Sequence, residues 1–209
     1  PSIVDKDSRL IPNDPTTLLY VGRIHPEKGL DLLVKAIALL EMSLKKKLLV
    51  RIVGPWEVSQ GGGGMKYFKN LKKMASACET EFDWVGPVFN EEQLAELYSS
   101  ATLFIYPSLA EKGETFGLAP LEAMSFGCPV LVSALDCFRD FVVDNHNGFI
   151  FDHRRPDPDK YLFIKLRALL EAKKILNDAS SEARKTAEQF SLDKIATLYL
   201  KDFTTLHRS

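Results

Sequence analysis

The chain lacks most of the features that announce a membrane, a metal or a nucleic-acid partner. No apolar run approaches the roughly 18 residues that a membrane-spanning helix needs, so no transmembrane segment is expected. Three cysteines, Cys78, Cys128 and Cys137, form an odd set without zinc-like spacing. They read as reduced packing thiols in a reducing compartment rather than as a disulfide framework. The four histidines share no metal-ligand spacing. Charge is balanced, with 27 Lys and Arg against 28 Asp and Glu, which argues against a surface built for nucleic acid. Dinucleotide and P-loop fingerprints are missing too, since neither Gly-x-Gly-x-x-Gly nor Gly-Lys-Ser/Thr occurs. Pro1 opens the chain with neither an initiator Met nor a signal peptide, so a piece of a longer, cytoplasmic protein is expected.

What is present is an alternation of two patterns. A length of 209 residues suits one well-packed domain and not two large ones. Short apolar runs from Thr17 to Val21, Leu48 to Val53, Phe82 to Val85, Leu103 to Tyr106, Val130 to Val132 and Phe149 to Phe151 read as strands buried on both faces. Between them, Leu30 to Glu41, Met65 to Cys78, Glu91 to Ser99, Leu118 to Phe126 and Phe138 to Val143 carry apolar residues at helical spacing. This β-α series predicts a Rossmann-like, doubly wound parallel sheet. After Asp152 the pattern is helical only, with Pro158 to Asn177, Ser180 to Phe190 and Leu192 to Leu206 forming a C-terminal helical tail. The expected divisions are a linker over residues 1–15, a Rossmann-like domain over 16–190 and a C-terminal helix over 191–209.

Gly61 to Gly64 is the one low-complexity stretch, and a mobile loop is expected there. Lys66, Lys69, Lys72 and Lys73 recur on one helical face and read as solvated. Asp157-Pro158-Asp159 has the letters of a metal-binding Asp-x-Asp but precedes a helix, where Asp is an expected cap; no metal site is assigned.

Two segments carry the chemistry. Glu114-Thr115-Phe116-Gly117-Leu118-Ala119-Pro120-Leu121-Glu122 sets one carboxylate in a loop and a second inside the first turn of a helix that Gly127 and Pro129 close. That helix start would offer the N–H groups of Phe116, Gly117 and Leu118 to an anion, while each carboxylate can accept from the paired hydroxyls of a sugar. The second segment, Gly22-Arg23-Ile24-His25-Pro26-Glu27-Lys28-Gly29, follows the first strand and supplies two cations. An Arg fork and a Lys point charge suit a diphosphate, and ligands of open parallel sheets bind at the carboxyl ends of strands.

Together, the Gly-Arg then Lys-Gly pattern and the Glu-x7-Glu pattern resemble the family 4 retaining glycosyltransferases, whose GT-B fold faces two Rossmann-like domains across a cleft. Val85-Gly86-Pro87-Val88, the helix Leu94 to Tyr98, Tyr106-Pro107-Ser108, Gly127 to Val130 and Asn147-Gly148-Phe149 extend the likeness to roughly residues 16 to 152. The resemblance implies the C-terminal, donor-binding half of such an enzyme. It implies Arg23 and Lys28 on the diphosphate, Glu122 on the ribose and Glu114 on the transferred sugar, with Gly22, Phe116, Gly117 and Leu118 giving backbone contacts. Val88 matches a position that reads the base, with Leu94 beneath it; plain core packing is the alternative for both. Arg23, Lys28 and Glu114 are accordingly the candidate catalytic set, and charge on the leaving diphosphate would be met by fixed electrostatics without metal.

The implied co-substrate is a nucleotide sugar, UDP-glucose or another UDP-hexose first and GDP-mannose second, with no other cofactor. The implied partner is an acceptor-binding N-terminal domain outside these residues, and any membrane contact would be peripheral and made by that half. A nucleotide-sugar epimerase of the same fold, or a non-catalytic nucleotide-sugar-binding module, are the alternatives. Asp136-Cys137-Phe138-Arg139-Asp140 departs from the family pattern, in which many members carry Gly-Gly and a Glu.

Overall fold

The computed structural model of the chain describes residues 16–191, 193–197 and 200. The expected linker, 1–15, and most of the expected last helix, 191–209, lie outside them. Six strands, β1 (Thr16–Val21), β2 (Leu48–Val53), β3 (Glu81–Gly86), β4 (Leu103–Tyr106), β5 (Val130–Ser133) and β6 (Phe149–Phe151), form one sheet in the order β3-β2-β1-β4-β5-β6. All five pairings are parallel. Every strand expected from an apolar run is found, within a residue at most boundaries.

The continuous apolar runs are explained by position. β1, β4 and β5 lie inside the sheet, and Leu18, Leu19, Leu103, Phe104, Val130 and Leu131 are all buried. β3 is the exception, an edge strand whose Glu81 and Val85 face solvent and whose Asp83 pairs with Arg51 of β2 at 2.9 Å. The opposite edge strand, β6, keeps its apolar run, with Phe149 and Phe151 buried.

Among the described residues, the helices that connect and flank the strands are α1 (Leu30–Ala38), α2 (Met42–Lys45), α3 (Gly64–Ser76), α4 (Glu91–Ser100), α5 (Leu118–Ser125), α6 (Pro158–Glu171) and α7 (Lys173–Gln189). Strand order steps one way through β1, β2 and β3 and the other way through β4, β5 and β6. With right-handed crossovers, this reversal puts α1 and α3 on one face and α5 on the other. The contacts agree, since α1 packs against α3 and α6, and α5 against α4 and α7. The helices that follow β1 and β4 therefore leave on opposite faces of the sheet, and a crevice opens at the reversal.

Three helical expectations change. Leu30 to Glu41 ends early at Ala38 and is followed by the separate short α2. Phe138 to Val143 is not a helix but a 3-10 turn over Asp136–Asp140; the Val143 N–H is taken by the Asn147 side chain, which draws the chain away from a helical path. The tail breaks at Ala172 rather than near Asp178. Leu176, Ala179, Ser180, Ala183 and Ala187 form the buried stripe of α7, and burial of that stripe carries the helix through the polar residues between them. Its small side chains let α7 approach α5 closely enough for the Ser180 hydroxyl to donate to the Gly127 carbonyl at 2.6 Å.

Asn147 joins three parts of this face. Its Oδ1 accepts from the Val143 N–H at 2.7 Å, and its Nδ2 donates to the Phe141 carbonyl and to Thr186 of α7, both at 2.8 Å. Asn147 is 2% exposed, so an alanine there would strand its backbone partners without water. Asn147→Ala is expected to cost about 2 kcal/mol in urea unfolding, the scale of buried polar groups left unsatisfied. An unchanged midpoint would show that those partners reach solvent.

The three cysteines are free thiols, Cys78 and Cys128 buried and Cys137 half-buried. Among the described residues no helix is long and apolar enough to cross a membrane.

Candidate functional site

The loop after β1 turns sharply because Pro26–Lys28 forms a 3-10 turn capped by the His25 ring, which accepts from the Glu27 N–H. Gly29 then passes so close to the Pro107 carbonyl that a side chain there would collide with it. That approach, together with a 2.7 Å hydrogen bond from the Leu109 N–H to the Glu27 carbonyl, draws the β1 loop against the β4 loop. Lys28 is carried inward by this packing and is 4% exposed.

On the other side, β4 delivers Tyr106, Pro107 and Ser108, and the chain turns through Glu114 into α5. The two loops meet in an ion pair, with Lys28 Nζ 2.8 Å from Glu114 Oε2; the Ser108 hydroxyl donates to the same oxygen at 3.0 Å. Lys28 Nζ also lies 5.6 Å from the centre of the Tyr106 ring. Burial, and after it the Glu114 carboxylate, push the Tyr106 hydroxyl well above its ordinary range. It remains a proton donor beside that acid.

Arg23 stands at the mouth of the crevice. Its two terminal nitrogens are held separately, one donating to the Gly61 carbonyl at 2.9 Å and the other to Glu27 Oε1 at 2.8 Å. The Gly61 to Gly64 stretch is thus a tied turn and not the expected loose loop: its four N–H groups donate to the carbonyls of Val58, Glu57, Ile24 and Trp56 in that order.

A cleft of about 450 Å³ is lined by Gly22, Arg23, Lys28, Tyr106 and the run from Gly113 to Ala119. Seven of the sequence candidates thereby come together: Gly22, Arg23, Lys28, Glu114, Phe116, Gly117 and Leu118. Gly117 opens α5 in a left-handed conformation, φ +82°, and among the described residues the N–H groups of Phe116, Gly117 and Leu118 have no protein acceptor. All three residues line the cleft, and N–H groups at a helix start are a general anion-binding feature.

Three candidates do not line the cleft. Glu122 is exposed on α5, where its Oε2 accepts from the Tyr98 hydroxyl of α4 at 3.0 Å. Burial, then the nearby Glu122 carboxylate, hold that hydroxyl protonated and so able to donate. Val88 and Leu94 are half-buried and pack against the core.

Sequence reasoning missed Glu27, Ser108 and Gly61, the groups that fix Arg23, Lys28 and Glu114. It also treated the two cations as free, whereas each is paired with a carboxylate. The Arg23 to Glu27 spacing of four residues was an available sign; the Lys28 to Glu114 pairing, 86 residues apart, had none.

Elsewhere, Asp157 sits at the N-cap position of α6 with its side chain bonded to Lys160 rather than capping the helix. Among the described residues no three His, Cys, Asp or Glu side chains are grouped closely enough to hold a metal ion. Lys66, Lys69, Lys72 and Lys73 are exposed on α3, as expected.

Comparison with known proteins fits this geometry. The family model described as glycosyl transferases group 1 matches residues 3–186. A D-inositol 3-phosphate glycosyltransferase of Geodermatophilus obscurus is 32% identical over 199 residues, covering 93% of this chain and 41% of the relative. One from Streptomyces coelicolor is 29% identical over 201 residues, covering 95% of this chain and 42% of that protein. The chain thus spans about two fifths of the length of these relatives.

Two solved structures share the fold. Anabaena Alr3699/HepE, in complex with UDP and glucose, superposes with a TM-score of 0.75 at 20% identity, over 92% of this chain and 49% of that one. Sucrose-phosphate synthase (tll1590) from Thermosynechococcus elongatus superposes with a TM-score of 0.77 at 24% identity, over 94% and 47%. A parallel sheet reversing at β1 and β4, a β1 loop of Gly-Arg then Lys-Gly and a Glu-x7-Glu run into α5 accompany a family match over most of the chain: it belongs to the glycosyl transferases group 1 family.

Proposed function

We propose that this chain is the donor-binding half of a glycosyltransferase, holding a nucleoside diphosphate sugar for transfer to an acceptor bound by a separate domain. The observation that carries the reading is the convergence of Arg23, Lys28, Glu114 and the open start of α5 on one cleft at the reversal of strand order. Among the described residues, two of the five N–H groups of the Arg23 guanidinium are engaged, by Gly61 and Glu27, which leaves three for phosphate oxygens. The amides of Phe116, Gly117 and Leu118 add donors without adding charge. Lys28 comes to a phosphate by exchanging part of its contact with Glu114, and Glu114, so released, accepts from hydroxyls of the transferred sugar. As the anomeric bond breaks, charge grows on the departing diphosphate, and these groups meet it already oriented.

Glu122, on the second turn of the same helix, is the proposed ribose acceptor, with the Tyr98 hydroxyl holding its carboxylate. Backbone near Val88, backed by Leu94, is the proposed contact for the base. A UDP-linked hexose, glucose first, is the proposed donor; the bound UDP, glucose and UDP-glucose of the similar Anabaena structures support it. Retention of anomeric configuration follows from the family resemblance, and the acceptor from a domain that the longer relatives have room for.

Calorimetry with UDP and uridine tests the reading. Arg23→Ala is expected to weaken UDP by roughly tenfold to a hundredfold, the scale of lost charge-assisted hydrogen bonds, while uridine is unaffected. Equal losses for the two ligands would contradict the diphosphate role.

A further inference from the structure

We infer that the Gly61 to Gly64 turn and Glu27 together are a positioning device for Arg23, the Gly61 carbonyl holding one terminal nitrogen and Glu27 the other; this rests on the diphosphate reading above. An arginine at a cleft mouth is free to sweep many rotamers, and each one lost on binding lowers affinity. Here the guanidinium is held at both terminal nitrogens, by Gly61 on one and Glu27 on the other, although the side chain is 43% exposed. Two anchors at opposite corners of a planar group fix its orientation as well as its location.

Each anchor is itself tied down. Glu27 lies in the 3-10 turn that the Leu109 N–H fastens to the β4 loop. The glycine turn is closed by the hydrogen bond from the Gly63 N–H to the carbonyl of Ile24, the residue after Arg23. Its glycines meet a steric demand. A side chain at Gly62 would overlap the Trp56 backbone, and one at Gly63 would press on Pro26 and Tyr67. At Gly61, φ +78°, an added Cβ would sit 3.0 Å from Arg23 Cδ and 3.2 Å from its Nη1, pushing on the arginine itself. Gly64 has nearly the same backbone, φ +81°, but a Cβ there meets only Val58 Cγ2, at 3.2 Å.

That contrast supplies the test. In the full chain, Gly61→Ala and Gly64→Ala incur similar backbone strain, yet only the first disturbs Arg23. Calorimetry is expected to give a UDP affinity lower by about tenfold for Gly61→Ala and within about twofold of the parent for Gly64→Ala, since only the former loses the preorganised fork. Uridine binding should match the parent in both. With Arg23→Ala already present, adding Gly61→Ala should weaken UDP no further. Equal losses from the two glycine variants, or an undiminished Gly61→Ala effect without Arg23, would overturn the inference while leaving the diphosphate reading intact. An Arg23→Ala variant that binds UDP normally would instead sink that reading, and this inference with it. Should Gly61→Ala not fold, Glu27→Ala serves. Weaker UDP binding is expected, and unchanged or tighter binding would overturn the inference, because Glu27 would then be a bystander or a competitor for the guanidinium.

Discussion

Lys28→Ala is expected to destabilise the fold by about 3–5 kcal/mol, the scale for removing one member of a buried ion pair. The side chains of Lys28 and Glu114 are 5% and 10% exposed. Without the lysine, Glu114 keeps the Ser108 hydroxyl but loses its countercharge, in a place where Tyr106 and the two crossing loops exclude most water. Much of the loss is thus the penalty of a stranded carboxylate rather than the worth of the pair itself. Combining Lys28→Met with Glu114→Gln should recover a large part of the stability, because no charge is then left alone. Urea unfolding of the parent, the single variant and the double variant distinguishes these contributions. A single variant within about 1 kcal/mol of the parent would mean that Glu114 reaches solvent freely. The measurement needs no ligand, so it stands apart from the proposed role of Lys28 on phosphate.

Gly117→Ala is expected to be nearly as damaging, through geometry instead of charge. Gly117 holds φ +82° at the start of α5, and an added Cβ would intrude on the ring of Phe138, which is fully buried. The left-handed backbone costs an alanine roughly 1–2 kcal/mol, and forcing a methyl into a packed core adds about 1–3 kcal/mol. Phe138 has nowhere to retreat, being wedged edge-on against Tyr106 and Phe141. Thermal unfolding should show a clear drop in midpoint for Gly117→Ala. Gly117→Ala with Phe138→Leu should lose less than the sum of the two single changes, since the smaller side chain opens space for the methyl. Strict additivity would mean that the collision is relieved by moving α5 rather than by the ring.

Much of the architecture was legible because strands covered on both faces need continuous apolar side chains, and β1, β2, β4, β5 and β6 meet that need almost without interruption. Helix existence was equally clear where apolar periodicity is strong, as over Glu91 to Ser99; the structure adds a cap there, the Asn90 side chain accepting from the Gln93 N–H at the start of α4. Helix limits failed where tertiary packing outweighed local preference. The stripe from Leu176 to Ala187 pulls α7 through Asn177 and Asp178, which a local reading takes for a break.

Within the site, most of the residues that touch the cleft were readable from the two motifs, Tyr106 and Gly113 being outside them, whereas their internal pairings were not. Lys28 and Glu114 meet because Gly29 allows one loop to lie on another, and no property of either residue announces its partner. The Gly61 to Gly64 run invited a reading of slackness because glycine is permissive in isolation. Folded, the same lack of side chains permits close backbone contact, and the segment becomes one of the more closely fastened parts of the surface.

The stripe of small residues on α7 carries a consequence for inheritance. Ala179, Ser180 and Ala183 perform no chemistry, yet they set how near α7 can come to the helix whose first amides face the cleft. A bulkier residue at any of them would lever α5 outward and so reach the ligand from the far side of the domain. Natural variation at these three positions should accordingly be as narrow as at the charged groups of the cleft, for reasons of girth alone.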